Sequence, residues 1–304
     1  MNNEENKPKV SINWFPGHMS KTLKDMQNNS KLCDCFVYVL DARCPTSCIN
    51  PEFLKVVKDK PIVFVLNKAD LVEQEDIKRF KQHFNSLGHE CVALNATISG
   101  NSKVIVNAIR KIFAERLQKN KERQVTFVMR AMVIGIPNSG KSTIVNNLCN
   151  KGRAITGNKA GVTRSKQWIK VGNDIEFMDT PGVLLPNFDD EDKAYNLAFV
   201  GSVRDDVLNL IDICEHMIAR LRVMSNNPLK VKYGIDFSEE TLNIEILNKI
   251  GKKRGCLIKG GEIDLERTTK LLLTEFRAGK LGKICLEWDI MISKGEIKWL
   301  IMKK

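Results

Sequence analysis

Residues 131–143 read AMVIGIPNSGKST, and the rest of the chain takes its meaning from them. The apolar run from Met132 to Ile136 has the length of a buried strand. It leads into Gly135-x-x-x-x-Gly140-Lys141-Ser142, followed by Thr143, which is the spacing of a phosphate-binding P-loop. Glycines there let backbone N–H groups turn onto phosphate oxygens. Lys141 offers a point charge to the β- and γ-phosphates, and the Ser142 hydroxyl suits magnesium. The following STIVNNLCN has helical spacing, so an anion would sit at a helix N-terminus, where the dipole favours negative charge. A chance Gly/Ser-rich turn can show the same pattern, so the context has to decide.

Two more segments supply that context. Asp179-Thr180-Pro181-Gly182 follows the strand-like IEFM, as a magnesium- and γ-phosphate-sensing loop should. Asn67-Lys68-Ala69-Asp70 follows the strand-like PIVFVL and matches a guanine-reading motif. Its aspartate can accept hydrogen bonds from the guanine ring N–H and the exocyclic amine, a donor pair that adenine lacks. The strand ECVALNA ends in Asn95-Ala96, where a second guanine-contacting loop is expected. One tetrapeptide alone is weak; three parts, each closing a predicted strand, predict a GTP/GDP site with Mg2+. The guanine motif ordinarily follows the phosphate motifs and here precedes them. The expected architecture is therefore α/β: a circularly permuted P-loop GTPase domain over residues 1–185 and a smaller, mainly α C-terminal domain over 186–304.

Composition sets the outer limits. A chain of 304 residues with 43% hydrophobic content can build one nucleotide-binding domain and a smaller second one. No run has the length of a membrane span, and MNNEENKPK lacks a signal-type apolar stretch. The nine cysteines contain no CxxC pair, so reduced thiols are the better reading than a metal site at Cys33, Cys35, Cys44 and Cys48. Net charge is +12, and residues 222–304, with 17 Lys/Arg against 11 Asp/Glu, carry half of it. A polyanion such as nucleic acid is the natural partner, with anionic membrane weaker and a merely soluble basic surface the plain alternative.

The switches are read from position. GNKAGVTRSKQ, between the P-loop and DTPG, should hold the first switch, with Thr163 toward magnesium and γ-phosphate and Thr156 as competitor. Gly182 should meet the γ-phosphate, and Asp179 should hold magnesium through water. The next residue, Val183, cannot orient an attacking water as the glutamine of Ras-type GTPases does. Permutation turns the helix that ordinarily follows this loop into the N-terminus, after Trp14-Phe15-Pro16. That helix should lie beside the Asp179–Val183 loop and bring His18 toward the water, unless His18 merely caps the helix. Asn138, inside the P-loop, can aim its carbonyl at the phosphates and help to hold K+, or it can fix the loop by a hydrogen bond. Ser139 completes the loop.

Together these residues closely resemble the ribosome biogenesis GTPase A family. WFPGHM with Lys21, VLDAR with Pro45 and Asn50-Pro51, NKADL, GIPNSGKST, GVTRS and DTPGVL occur in family order. So do VRDDVL and RGCLIKGGEIDLERTTKLLLTEFRAGKLGKICLE, and the resemblance runs from Ile12 to Glu287. Ser139 departs from the valine common there. The resemblance implies a GTPase that acts on the large ribosomal subunit, its rRNA and proteins, late in assembly, with His18 at the family's catalytic histidine. The rival expectation is a GTP-dependent regulator with a protein partner and no ribosome role. A monomer is expected, in a bacterial cytoplasm rather than a mitochondrial matrix.

Overall fold

A computed structural model describes residues 18–57, 60–149, 168–184 and 190–287. Six strands form one sheet: β1 (Cys35–Asp41), β2 (Ile62–Asn67), β3 (Glu90–Leu94), β4 (Met129–Ile134), β5 (Trp168–Val171) and β6 (Ile175–Asp179). Their order is β3-β2-β1-β4-β6-β5, parallel throughout except for β5, which pairs antiparallel with β6. The helices of the sheet region are α1 (His18–Ser30), α2 (Pro51–Val57), α3 (Gln74–Ser86), α4 (Lys103–Ile112), α5 (Ala114–Glu122) and α6 (Lys141–Cys149). Beyond them come α7 (Glu191–Phe199), α8 (Leu210–Leu221), α9 (Pro228–Tyr233), α10 (Asn243–Lys253) and α11 (Leu265–Arg277).

The central strand explains the layering. All seven residues of β1 are buried, so its apolar run is continuous instead of alternating, as a parallel strand covered on both faces requires. Cys35, Val37 and Val39 face the side packed by Ile105 and Ile109 of α4 and Ile144 and Val145 of α6. Phe36, Tyr38 and Leu40 face the other side, with Phe53 of α2 and Phe80 and Phe84 of α3. That second core continues without a break into the helical region, through Phe199, Ile218, Leu272 and Phe276. The expected domain boundary at 185/186 falls outside the described residues.

Local chemistry sets the helix ends. Asp190, Asn209 and Asp264 each cap a helix, accepting from backbone N–H groups of the first turn. Pro51 opens α2, and Pro228 opens α9 behind the cap of Asn227; proline suits a first helical position because no N–H is needed there. α4 and α5 are separate helices, because Phe113 leaves helical geometry and sets its ring against Phe127 at 6.0 Å.

The stretch LGKICLE is an extended strap across the sheet region. The Ile284 and Leu286 N–H groups donate to the carbonyls of Leu71 and Arg43 at 2.9 and 2.8 Å. The buried Glu287 carboxylate then accepts from the backbone N–H groups of Thr46 and Ser47, both at 2.7 Å, and from both of their hydroxyls. Burial raises its carboxyl above the usual range while these four donors pull it back. Glu287→Gln keeps the shape but turns an NH2 group onto those donors. Such a loss of a charged hydrogen-bond acceptor should cost about 2 kcal/mol, read as a lower midpoint in urea unfolding; an unchanged midpoint would show that the strap is dispensable.

Candidate nucleotide site

The carboxyl ends of β1, β2, β4 and β6 meet along one edge of the sheet, the place where open parallel sheets bind ligands. Each predicted motif begins there. β4 runs into the P-loop, β6 into DTPG and β2 into NKAD.

The P-loop is folded tightly around its own backbone. Gly140 takes φ +98°, and a Cβ there would fall 2.1 Å from the Asn67 Nδ2, so only glycine fits. Buried Lys141 donates from Nζ to the Ile136 carbonyl at 2.7 Å, and the Ser139 hydroxyl donates to the same carbonyl at 3.0 Å. Burial lowers the Lys141 ammonium to about 8, against the pull of Asp179. Among the described residues its amine is held by the Ile136 carbonyl, which an anion at the loop would readily replace. Thr143 follows in the first turn of α6, half-buried.

Ser142 and Asp179 make a metal-type pair. The Ser142 hydroxyl donates to Asp179 Oδ2 at 2.8 Å, while Asp179 Oδ1 is buried with no hydrogen-bond partner among the described residues. Burial raises the Asp179 carboxyl above its ordinary value. A hard cation seated between the hydroxyl and the carboxylate would satisfy the orphaned oxygen and favour the ionised form, so the donor set fits Mg2+.

DTPG lies directly on the P-loop. Thr180 Oγ1 donates to the Val133 carbonyl at 2.6 Å, and a Cβ on Gly182 would stand 2.5 Å from the Pro137 nitrogen. The glycine is thus required by close approach of the two loops. Val183 is fully buried and offers no polar side-chain atom at this end.

The guanine end is built around Asn67. Its Nδ2 donates to the Ser139 carbonyl at 2.8 Å and its Oδ1 accepts the Ala96 N–H at 3.0 Å. One amide therefore joins NKAD, the P-loop and the Asn95-Ala96 loop, a scaffolding task beside the nucleotide contact expected of it. Lys68 sits in the left-handed region, φ 59°, and its Nζ reaches Asp41 Oδ2 at 2.8 Å. Ala69 and Asp70 form a short 3-10 turn, with Asp70 exposed to a ligand. Asn95 Oδ1 accepts from the N–H and hydroxyl of Thr97, shaping its own turn.

Asn138 also takes the left-handed conformation, φ 58°, and its Nδ2 donates to the Gly201 carbonyl at 2.6 Å. The loop-fixing bond is thus made here, and its partner lies in the helical region. Thr163 and Thr156 lie outside the described residues. His18 is the first residue of α1, and its side chain also lies outside them; α1 packs against α2, with Met26 in the core. Cys33, Cys35, Cys44 and Cys48 are buried free thiols, and burial pushes Cys33 up to about 11.

Sequence reasoning missed four residues at this edge. Asp41 and Arg43 close β1, where a charged pair ending an apolar strand was the available signal. Gly201 had none. Asn147 was read only as part of a helix; its Nδ2 donates to the carbonyls of Ala96 and Ile98, and its Oδ1 accepts the Gly100 N–H.

Sheet order and motif order together define a circularly permuted P-loop GTPase. Comparison with known proteins agrees. Residues 130–249 match the family model described as a 50S ribosome-binding GTPase. Ribosome biogenesis GTPase A of Bacillus cereus is 38% identical over 277 residues, covering 91% of this chain and 93% of that one. The Thermotoga maritima protein of the same name is 30% identical, covering 91% and 94%. The solved structure of GNP-bound YlqF from T. maritima superposes with a TM-score of 0.60 at 26% identity, covering 88% of this chain and 97% of that one. The chain belongs to the ribosome biogenesis GTPase A family, and it is a GTP hydrolase.

Asn147 gives a direct check on the guanine end. Asn147→Ala removes the three bonds from its side chain to the 95–100 loop. A loss of about 1 kcal/mol in loop ordering should weaken GDP binding roughly fivefold in a fluorescent-nucleotide titration, with the melting temperature little changed. Wild-type affinity would mean that the loop is set by other contacts.

Proposed function

We propose that the chain hydrolyses GTP to GDP and phosphate as a late assembly factor of the large ribosomal subunit. The observation that supports this most is the meeting of P-loop, DTPG and guanine motif at one sheet edge, joined to a helical region. The relatives' name places them in ribosome biogenesis, and the matching family model is described as 50S ribosome-binding. In this reading Asp70 accepts the guanine donors, with Lys68 and Ala69 along the base and Asn95-Ala96 closing the pocket. The backbone of Asn138–Thr143 and the Lys141 ammonium hold the phosphates. Ser142 and Thr163 ligate Mg2+, Asp179 reaches it through water, and Gly182 meets the γ-phosphate. With its NH2 on Gly201, Asn138 keeps Oδ1 for K+, which would offset charge developing in the transition state.

The C-terminal part of the chain, residues 186–304, is the docking unit in this reading, through the basic stretch 222–304 with its 17 Lys/Arg against 11 Asp/Glu. Of the cationic cluster at the end of α10, Arg254 is committed to the buried Glu275 and Lys249 to the Asp236 carbonyl. Lys252 and Lys253 are exposed and supply the phosphate contacts, so binding should weaken steeply as salt rises.

Purified large subunits should stimulate hydrolysis, and RNA-free extract should not. Stimulation by the extract alone would favour a regulator with a protein partner. His18→Ala should lower turnover on the subunit by about a hundredfold, the scale of a water-positioning group, while leaving GTP affinity near wild type. Normal turnover by that variant would leave His18 with only a helix-capping role.

A further inference from the structure

The guanine motif does not end at its own four residues. The Lys68 amine lies 2.8 Å from Asp41 Oδ2, at the edge of the site, with its side chain 27% exposed. Asp41 is buried, and the same carboxylate takes Nη2 of Arg43 at 2.8 Å and its Nε at 2.9 Å. Burial raises the Asp41 carboxyl, but the two cations outweigh it and hold the group well below the usual carboxylate range. Arg43 is itself 2% exposed. Its Nη1 leaves the ion pair and donates to the carbonyls of Phe276 and Arg277 at 3.4 and 3.5 Å, and its guanidinium lies 5.1 Å from the Phe276 ring. Those carbonyls close α11, whose C-terminal end is the negative pole of the helix.

A buried cluster of one anion and two cations is a poor way to gain stability, because desolvation offsets most of the attraction. Its geometry has another use. Lys68 is the one member that reaches the site, and it does so from a left-handed backbone, a conformation that persists only where the surroundings hold it. The surroundings here are Asp41, the Ala42 N–H donating to the Asn67 carbonyl at 2.8 Å, and the strap residues Ile284 and Leu286 on the carbonyls of Leu71 and Arg43. An ammonium tied at its tip keeps its methylene stem along one line, where it can lie against a purine face.

We infer that Asp41 and Arg43 are positioning residues for guanine binding, with Asp41 fixing the Lys68 side chain and Arg43 anchoring that arrangement on the last turn of α11. This rests on the reading of NKAD as the guanine motif. The helical region thereby acts on the base end of the site by a route separate from the DTPG loop.

The test uses the full chain, a fluorescent GDP analogue, and competition by GDP and by IDP, whose base lacks the exocyclic amine. A stem lying on the ring face treats the two bases alike, whereas Asp70 distinguishes them. Asp41→Asn should weaken GDP and IDP by the same factor, roughly tenfold, leaving their ratio at the wild-type value. Combined with Lys68→Met it should add nothing beyond Lys68→Met alone, because the two residues act through one contact. Arg43→Lys keeps the charge beside Asp41 and gives up the bonds to α11. It should weaken both nucleotides about threefold and should likewise lose its effect in the Lys68→Met background. If Asp41→Asn does not fold, the Arg43→Lys cycle decides alone. Additive losses, a changed GDP-to-IDP ratio, or wild-type affinity in the positioning variants beside a weakened Lys68→Met would overturn the inference. Wild-type affinity in Lys68→Met would instead remove Lys68 from the base, and the inference would fall with that reading.

Discussion

One buried amide, that of Asn67, holds the nucleotide site in one piece. The three loops it touches come from distant parts of the chain, and permutation has put the guanine motif some seventy residues ahead of the P-loop. With Nδ2 on the Ser139 carbonyl and Oδ1 on the Ala96 N–H, the side chain fixes the distance between the phosphate and base ends. Gly140 must be glycine because that amide occupies the space beside it. A network of this kind is strong only when fully satisfied, and both ends of this amide are.

The same edge is gripped from outside by the helical region, at both ends. At the phosphate end, Gly201 receives Asn138, and its own turn is held by the Arg277 guanidinium on the carbonyls of Ala198 and Phe199 and on Asp205. At the base end, the carbonyl of Arg277 and that of Phe276 receive Arg43. The last turn of α11 is therefore common to both grips, and the strap through Glu287 closes over the loop between them. Side-chain hydrogen bonds thus tie the helical region to both ends of the site.

Much of this was legible in the sequence, for reasons that differ from residue to residue. The P-loop, DTPG and NKAD are local patterns whose geometry follows from glycine freedom and from the strand that precedes each. Their inverted order sufficed to predict the permuted sheet. The helix start at Pro51 depends on a weak local signal, and the break at Phe113 on a ring partner, Phe127, fourteen residues away. Arg43, Asn147 and Gly201 were missed because their partners are remote, Arg43 meeting α11 more than two hundred residues later, whereas Asp41 has its partner Arg43 two residues away and was passed over as part of VLDAR. Glu287 was legible only as the end of a resemblance, since nothing nearby shows that it returns to Thr46 and Ser47.

The central claim is that guanine nucleotide occupancy is felt in the helical region through these grips. Hydrogen exchange at the Ile284 and Leu286 amides reports it most directly, because those N–H groups donate to the carbonyls of Leu71 and Arg43 beside the guanine motif. Exchange at both amides should slow when GDP or a GTP analogue binds and should be unaffected by ATP, whose base lacks the donor pair that Asp70 is proposed to read. Equal exchange rates with and without guanine nucleotide would contradict the account.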